Sequence, residues 1–357
     1  MLDAGAQAAA RARQDQLVKP PGALGRLEEL AIWLAGVTGE ARPSLRARVV
    51  VAAADHGVAA EGVSAFPAEV TGQMLATFAS GRGAVSVLAA AVGADLICVD
   101  AGVRGDTTAL GAAVRQTGLA PAANLALQPA LTPEALDTAL ATGHALAAQA
   151  AADGITVLVG GEMGIANTTP ATCLAAWLTG LGPAALTGPG TGLDADGVAR
   201  KAAVVARALA RHAPSHPPGQ AALGRSVAPR REPRALAPLD ALRCLGGGEI
   251  AVLCGLALGA AEHGVGYLCD GVIATAAAAA AVAIEPGVRP WLLAGHRSPE
   301  PAHTALLTHL GLDPVLDLGM RLGEGSGATA ALAILRLAVA THDGMATFAE
   351  AGVAGAS

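Results

Sequence analysis

The sequence predicts an α/β protein: a doubly wound, mostly parallel, Rossmann-like sheet with a smaller helical domain. Three observations predict it. Six short apolar runs recur along the 357 residues, each followed by an alanine-rich stretch of helical character. The runs are continuously apolar instead of alternating, as strands buried on both faces are. Each ends in a turn rich in Gly, Asp or Glu, and ligands bind beyond the carboxyl ends of strands in such sheets.

The elements justify themselves in order. Residues 1–43 contain KPPGALGRLEELAIWLAG, a turn followed by an amphipathic helix, which with residues 336–357 makes the small helical domain. The large α/β domain spans 44–335. Its strands are ARVVVAAADHG from Ala47, DLICVDAGV from Asp95, GITVLVGGEMG from Gly154, GVGYLCDGV from Gly264, RPWLLAGH from Arg289 and DPVLDLGM from Asp313. The last strand leads through GEGSG into the helical ATAALAILRLAVA. Residues 212–238 hold six prolines and several arginines, a composition expected of an exposed insertion or lid.

Composition excludes several functions. A net charge of −6, one Tyr and three Phe offer neither the basic footprint nor the stacking platforms of a nucleic-acid binder. The mean hydropathy is positive, yet the longest apolar runs, 250–261 and 273–284, fall short of the roughly 20 residues that cross a bilayer. They read as buried core helices. Five scattered cysteines without a CxxC pair read as buried free thiols in a cytoplasmic protein.

Three glycine turns can present backbone N–H groups to a phosphate: GGEMGIANTTPA from Gly160, TGPGTGLD from Thr187 and GEGSGA from Gly323. The first adds Asn167, Thr168 and Thr169 as donors. Lys201, one helical stretch after the second, adds a charge. No GxxxxGK[ST] occurs, which disfavours nucleoside triphosphate chemistry. GEGSGA matches the GxGxxA dinucleotide fingerprint, and Asp343 lies about 20 residues on, where the ribose acid belongs. No second strand follows to present Asp343, so no dinucleotide cofactor is expected.

Glu324 raises the sharper question, because it is a carboxylate where the turn calls for glycine. The helix dipole favours an acid there; equally, an acid flanked by glycines at a ligand's approach can serve as a general base. Asp55–His56 ends the first strand and is compatible with catalysis, metal binding or a plain hydrogen bond. His296 and His303 lie seven apart and read as structural. Without HExxH or a cysteine cluster, no metal is expected, and no GxSxG elbow supports a hydrolase triad.

Taken together, the motifs resemble the nicotinate-nucleotide–dimethylbenzimidazole phosphoribosyltransferase family. The resemblance rests on KPPGALGRLE, ADHGVAAEGVSAFPAEVT, GGEMGIANTTPA, GTGLDADGVARK, LGGGEIAVLCG, DGVIATAAA and DLGMRLGEGSGA, in that order over nearly the whole chain. It implies transfer of phosphoribosyl from nicotinate mononucleotide to 5,6-dimethylbenzimidazole, without a cofactor, by a homodimer. It implies Glu324 as the catalytic base. Gly164, Asn167, Thr168 and Lys201 then fall to phosphate and ribose, and Phe66, Met74, Glu162, Met163 and Leu322 to the aromatic bases. The chain departs from the family's pattern at Ala166, where glycine is usual and a methyl is expected to crowd the phosphate. Pro189 stands in place of a common arginine, Gly248 in place of a larger residue, and Phe66 in place of a frequent tyrosine. The alternatives to this reaction are a non-catalytic ribotide-binding relative and a transferase with a different preferred base.

Overall fold

The computed structural model describes residues 1–213 and 236–354. The insertion or lid expected at 212–238 lies, but for its ends, outside the described residues. One seven-stranded sheet is formed by β1 (Ala47–Ala53), β2 (Asp95–Asp100), β3 (Val114–Gln116), β4 (Val157–Met163), β5 (Gly266–Cys269), β6 (Leu292–His296) and β7 (Pro314–Leu316). Six of these are the apolar runs of the sequence. The seventh, β3, is VRQ, with a single apolar residue, too short and polar for a hydrophobic pattern to betray. The order is β3-β2-β1-β4-β5-β6-β7 and every pairing is parallel.

That order reverses between β1 and β4, which makes a topological switch point at their carboxyl ends. The register sharpens this. Ala53, the last residue of β1, stands beside both Asp100 and Met163. The chain therefore delivers Asp55–His56 and Glu162–Met163–Gly164 side by side above one edge of the sheet.

The helices are α1 (Ala4–Gln16), α2 (Arg26–Thr38), α3 (Val70–Ala79), α4 (Ala84–Ala91), α5 (Pro133–Ala152), α6 (Thr168–Thr179) and α7 (Pro183–Leu186). They continue as α8 (Ala195–His212), α9 (Pro238–Leu245), α10 (Gly248–Glu262), α11 (Val272–Ile284), α12 (Pro301–Leu310), α13 (Ser326–Gly344) and α14 (Phe348–Ala351). Alternate side chains of β1 feed two cores. Val50 and Ala52 join the layer of α5, α6, α10 and α11; Val49, Val51 and Ala53 join that of α2, α3, α4 and α13. With few aromatics available, the first layer closes through small residues. A Cβ at Gly143 of α5 would lie 2.0 Å from the Val252 carbonyl of α10, and one at Gly255 would lie 2.2 Å from that of Leu140. Glycine lets these backbones touch, where any side chain would force them apart.

The two apolar runs are core helices, as expected: residues 250–257 of α10 and 274–281 of α11 are buried without interruption. Residues Val70–Ala91 are apolar over a length that would cross a bilayer, but they form two helices interrupted at residues 80–83. At the other end of the chain, Arg13 of α1 donates to the carbonyls of His342, Asp343 and Met345. Leu30 and Leu34 of α2 share a core with Leu332 and Leu335 of α13, so α13 runs from the N-terminal helices to the switch point.

Candidate active site

A cavity opens at the carboxyl ends of β4, β5 and β6. Glu162, Met163, Gly164, Asn167 and Thr168 from the turn after β4 line one side, with Gly190 and Thr191 beside them. Gly271, Val272 and Ile273 at the start of α11, His296, Ser298 and Glu300 after β6, and Arg321, Leu322 and Gly323 complete it. The N-termini of α6 and α11 thus face one space with their positive dipole ends. At α6 the Asn167 and Thr169 N–H groups already bond the Gly164 and Ala166 carbonyls and Pro170 has none, so Thr168 supplies its one free first-turn N–H.

Lys201 stands behind this wall. It is fully buried on α8, and its Nζ donates to Thr168 Oγ1 at 2.6 Å and to the Gly188 carbonyl at 3.4 Å. Because Thr168 Oγ1 accepts that proton, its own hydroxyl proton is free to turn toward the cavity. Burial holds the Lys201 ammonium down to about 8, opposed by the Glu300 carboxylate. Glu300 in turn accepts from Gly190 N at 2.9 Å and shapes the second glycine turn. Ser298 is fixed from below, since its N–H donates to His303 Nδ1 at 2.9 Å. His303 is thereby the Nε2–H tautomer, 3.1 Å from Thr275 Oγ1, and burial lowers it to about 3, so it stays neutral.

The opposite wall is acidic. Glu162 is buried, and Asn167 Nδ2 donates to its Oε2. Burial pushes Glu162 up to about 8, against the Asn167 hydrogen bond and reinforced by Asp270, Glu249 and Glu324. Asp270, at the exit of β5, accepts from Gly325 N at 3.2 Å and from Ala328 N at 2.8 Å. It therefore caps α13 and ties down the loop that carries Glu324. His296 Nε2 sits 3.4 Å from Asp270 Oδ1. Burial raises Asp270 as well, eased by His296.

Glu324 is 5% exposed, so it does not point into solvent. Its N–H donates to the Glu162 carbonyl at 3.2 Å, and its Oε2 accepts from Val85 N, near the start of α4, at 3.4 Å. Burial raises its carboxyl above the usual range; the Val85 hydrogen bond opposes this and the Asp270 charge adds to it. Glu324 has φ of 65°, and Ala166 has φ of 75°. These are the only non-glycine residues with positive φ among the described residues, and both flank this cavity. A left-handed conformation costs an ordinary residue about 1–2 kcal/mol, and strain of this kind gathers at functional sites. Helix-dipole compensation alone needs no such residue in such a backbone.

The glycines around Glu324 are equally specific. A Cβ at Gly161 would lie 2.4 Å from the Glu324 carbonyl oxygen, and one at Gly323 would lie 2.5 Å from Glu162 Oε1. Strand β4 and the GEGSG turn can approach this closely only without side chains at those points.

Six of the expected site residues, Gly164, Asn167, Thr168, Glu162, Met163 and Leu322, line the one cavity. Lys201 and Glu324 flank it. Phe66, 51% exposed in the loop before α3, and Met74 of α3 do not line it. Met74 lies one turn beyond Thr71, whose hydroxyl accepts from Ile165 N at 3.1 Å, so α3 abuts the turn. Asp55–His56 resolves as a hydrogen-bonded group: buried His56 Nε2 meets Glu249 Oε1 at 2.7 Å, beneath Gly164. The Ala166 side chain is buried. It packs into the core, and its cost is conformational. At Gly248 a Cβ would fall 1.9 Å from the Ala101 carbonyl, so a larger residue there requires the loop after β2 to move.

The sequence did not single out Asp270, Ser298 or Glu300 as site residues, and His296 read there as structural. Asp270 directly follows β5, His296 ends β6, and Ser298 and Glu300 come shortly after it, so all four lie at strand exits.

The comparisons give the family. A family model described as "Phosphoribosyltransferase" matches residues 1–353. The nicotinate-nucleotide–dimethylbenzimidazole phosphoribosyltransferase of Xanthomonas campestris pv. campestris (strain B100) is 51% identical over 99% of this chain and 96% of its own. That of Ectopseudomonas mendocina (strain ymp) is 48% identical over 99% and 95%. The crystal structure of CobT from Thermus thermophilus superposes with a TM-score of 0.88 at 44% identity, over 99% of this chain and all of that one. Matched over nearly its whole length by the family model, by relatives near 50% identity and by a solved fold, the chain belongs to the nicotinate-nucleotide–dimethylbenzimidazole phosphoribosyltransferase family.

Proposed function

We infer that the chain transfers phosphoribosyl from nicotinate mononucleotide to 5,6-dimethylbenzimidazole, releasing nicotinate and α-ribazole 5′-phosphate. The phosphate binds where the α6 and α11 N-termini meet Thr168 and Gly190, with Lys201 supplying charge from behind. Asn167 and Gly164 border the ribose. Phe66, Met74, Met163 and Leu322 supply apolar surface for the rings, with Phe66 and Met74 arriving from the α3 side.

The chemistry follows from the acidic wall. As the C1′–N bond breaks, its electron pair returns to the pyridine ring, which leaves without needing a proton. Positive charge grows on the ribose, and an ionised acid of this wall would stabilise it in a medium of low dielectric; Glu162, raised to about 8 by burial, is largely neutral near pH 7. The benzimidazole imine nitrogen attacks C1′ from the face opposite the leaving group, which inverts that carbon. Its other ring nitrogen then becomes acidic, and Glu324 takes that proton. A carboxylate raised by burial is a better match to this task than an ordinary one, and general-base assistance of this kind contributes about 10²–10⁴-fold.

The observation that carries this reading is Glu324 itself: an ionisable side chain, buried at the cavity edge and held in a backbone conformation that favours glycine. The test is incubation with nicotinate mononucleotide, with and without 5,6-dimethylbenzimidazole. Nicotinate release that depends on the benzimidazole supports the reading; binding without release overturns it.

The working form is a homodimer in the cytoplasm. Exposed Val87 of α4 and Leu318 in the loop before α13 are apolar surface that a second copy would cover. The five cysteines are free and buried, in keeping with a reducing compartment. Sedimentation at a single-chain mass would overturn the dimer.

A further inference from the structure

Away from the cavity, His144, Glu262 and His263 come together at the amino end of the sheet. His144 belongs to α5, while Glu262 is the last residue of α10 and His263 its cap. Helix packing fixes their relative position, because a Cβ at Gly259 would fall 3.0 Å from the Cα of His144. His144 Nε2 is 2.7 Å from Glu262 Oε2. The two imidazoles meet edge to face with centroids 5.1 Å apart. One donor atom from each of the three residues lies within 4.8 Å of the others.

We propose that His144, Glu262 and His263 form a site for a divalent transition-metal ion of the zinc class. Tetrahedral zinc binds imidazole nitrogen and carboxylate oxygen at about 2.0–2.2 Å, so its donors stand roughly 3.4 Å apart. Closing from the present spacing takes a shift of about 1.5 Å at most, within the rotamer freedom of exposed side chains. Two imidazoles and one carboxylate suit zinc and its neighbours, whereas calcium and magnesium select all-oxygen sets. Water completes the coordination. The ion ties α5 to the end of α10, which an exposed histidine–carboxylate pair alone does only weakly. His263 precedes β5, so the site and the cavity lie at opposite ends of that strand and turnover is independent of the metal.

The test uses untagged full-length protein stripped with a chelator, titrated with zinc chloride by calorimetry and unfolded thermally with and without zinc. One saturable site per chain and a rise of a few degrees in Tm are expected. In the double variant His144→Ala/His263→Ala, binding weakens at least about tenfold and the Tm rise is lost, while turnover is unchanged. Magnesium gives no saturable binding. The proposal is overturned by a parent protein that binds no zinc at about 100 µM, by a double variant that binds as tightly, or by equal binding of magnesium.

Discussion

Gly161→Ala probes the positioning of Glu324 without touching its carboxyl group. The new Cβ would lie 2.4 Å from the Glu324 carbonyl oxygen, 2.9 Å from its carbon and 3.0 Å from Gly325 N. Ordinary contact begins near 3.4 Å, so one partner must withdraw by about 1 Å. All three atoms are backbone and cannot rotate away. Strand β4 is paired on both sides, which leaves the GEGSG loop to move. Its movement stretches the bonds from Glu324 N to the Glu162 carbonyl and from Gly325 N to Asp270. A displacement of about 1 Å at a catalytic group costs about 100-fold, while overpacking costs about 1–3 kcal/mol of stability. Steady-state kinetics should show kcat/KM reduced about 100-fold, with circular dichroism confirming the fold. Gly182→Ala is the control, since nothing lies within 4 Å of its added Cβ and its φ is −70°. A folded Gly161→Ala protein with activity within about threefold of the parent, a cost under about 0.7 kcal/mol, would refute the reasoning.

Asp270→Asn removes a negative charge that raises Glu324. A base with a raised pKa loses activity as pH falls through that value, so the acid limb of the kcat profile should shift to lower pH; an unmoved limb would contradict the coupling. Lys201→Met removes a buried charge behind the proposed phosphate site. Hydrogen bonds involving a charged group contribute about 1.5–3 kcal/mol, so KM for nicotinate mononucleotide should rise about 10- to 150-fold with a smaller change in kcat. In the parent protein the same KM should climb as pH passes about 8, where Lys201 gives up its proton, and this dependence should vanish in the variant.

Much of this was legible in the sequence because it depends on local pattern. Strands buried on both faces leave continuous apolar runs, and six of seven were visible; β3 was not, because VRQ has no run to see. Glu324 stood out because an acid between glycines violates turn chemistry, and its φ of 65° is the structural form of that violation. Partnerships between distant residues were hidden. Asp270 is 55 positions from the Gly325 amide it holds, and His56 is 193 from Glu249. Only the strand order brings these together. The left-handed backbone at Ala166, φ of 75°, was likewise hidden, because nothing in the letter alanine announces it.

Glu324→Gln offers the most direct test. Glutamine preserves size and the hydrogen bond from Val85 but cannot take a proton. Measured as nicotinate released from nicotinate mononucleotide in the presence of 5,6-dimethylbenzimidazole, kcat should fall by about 10²–10⁴-fold with Tm and nucleotide binding retained. A correctly folded Glu324→Gln enzyme turning over at close to the parental rate would contradict the account.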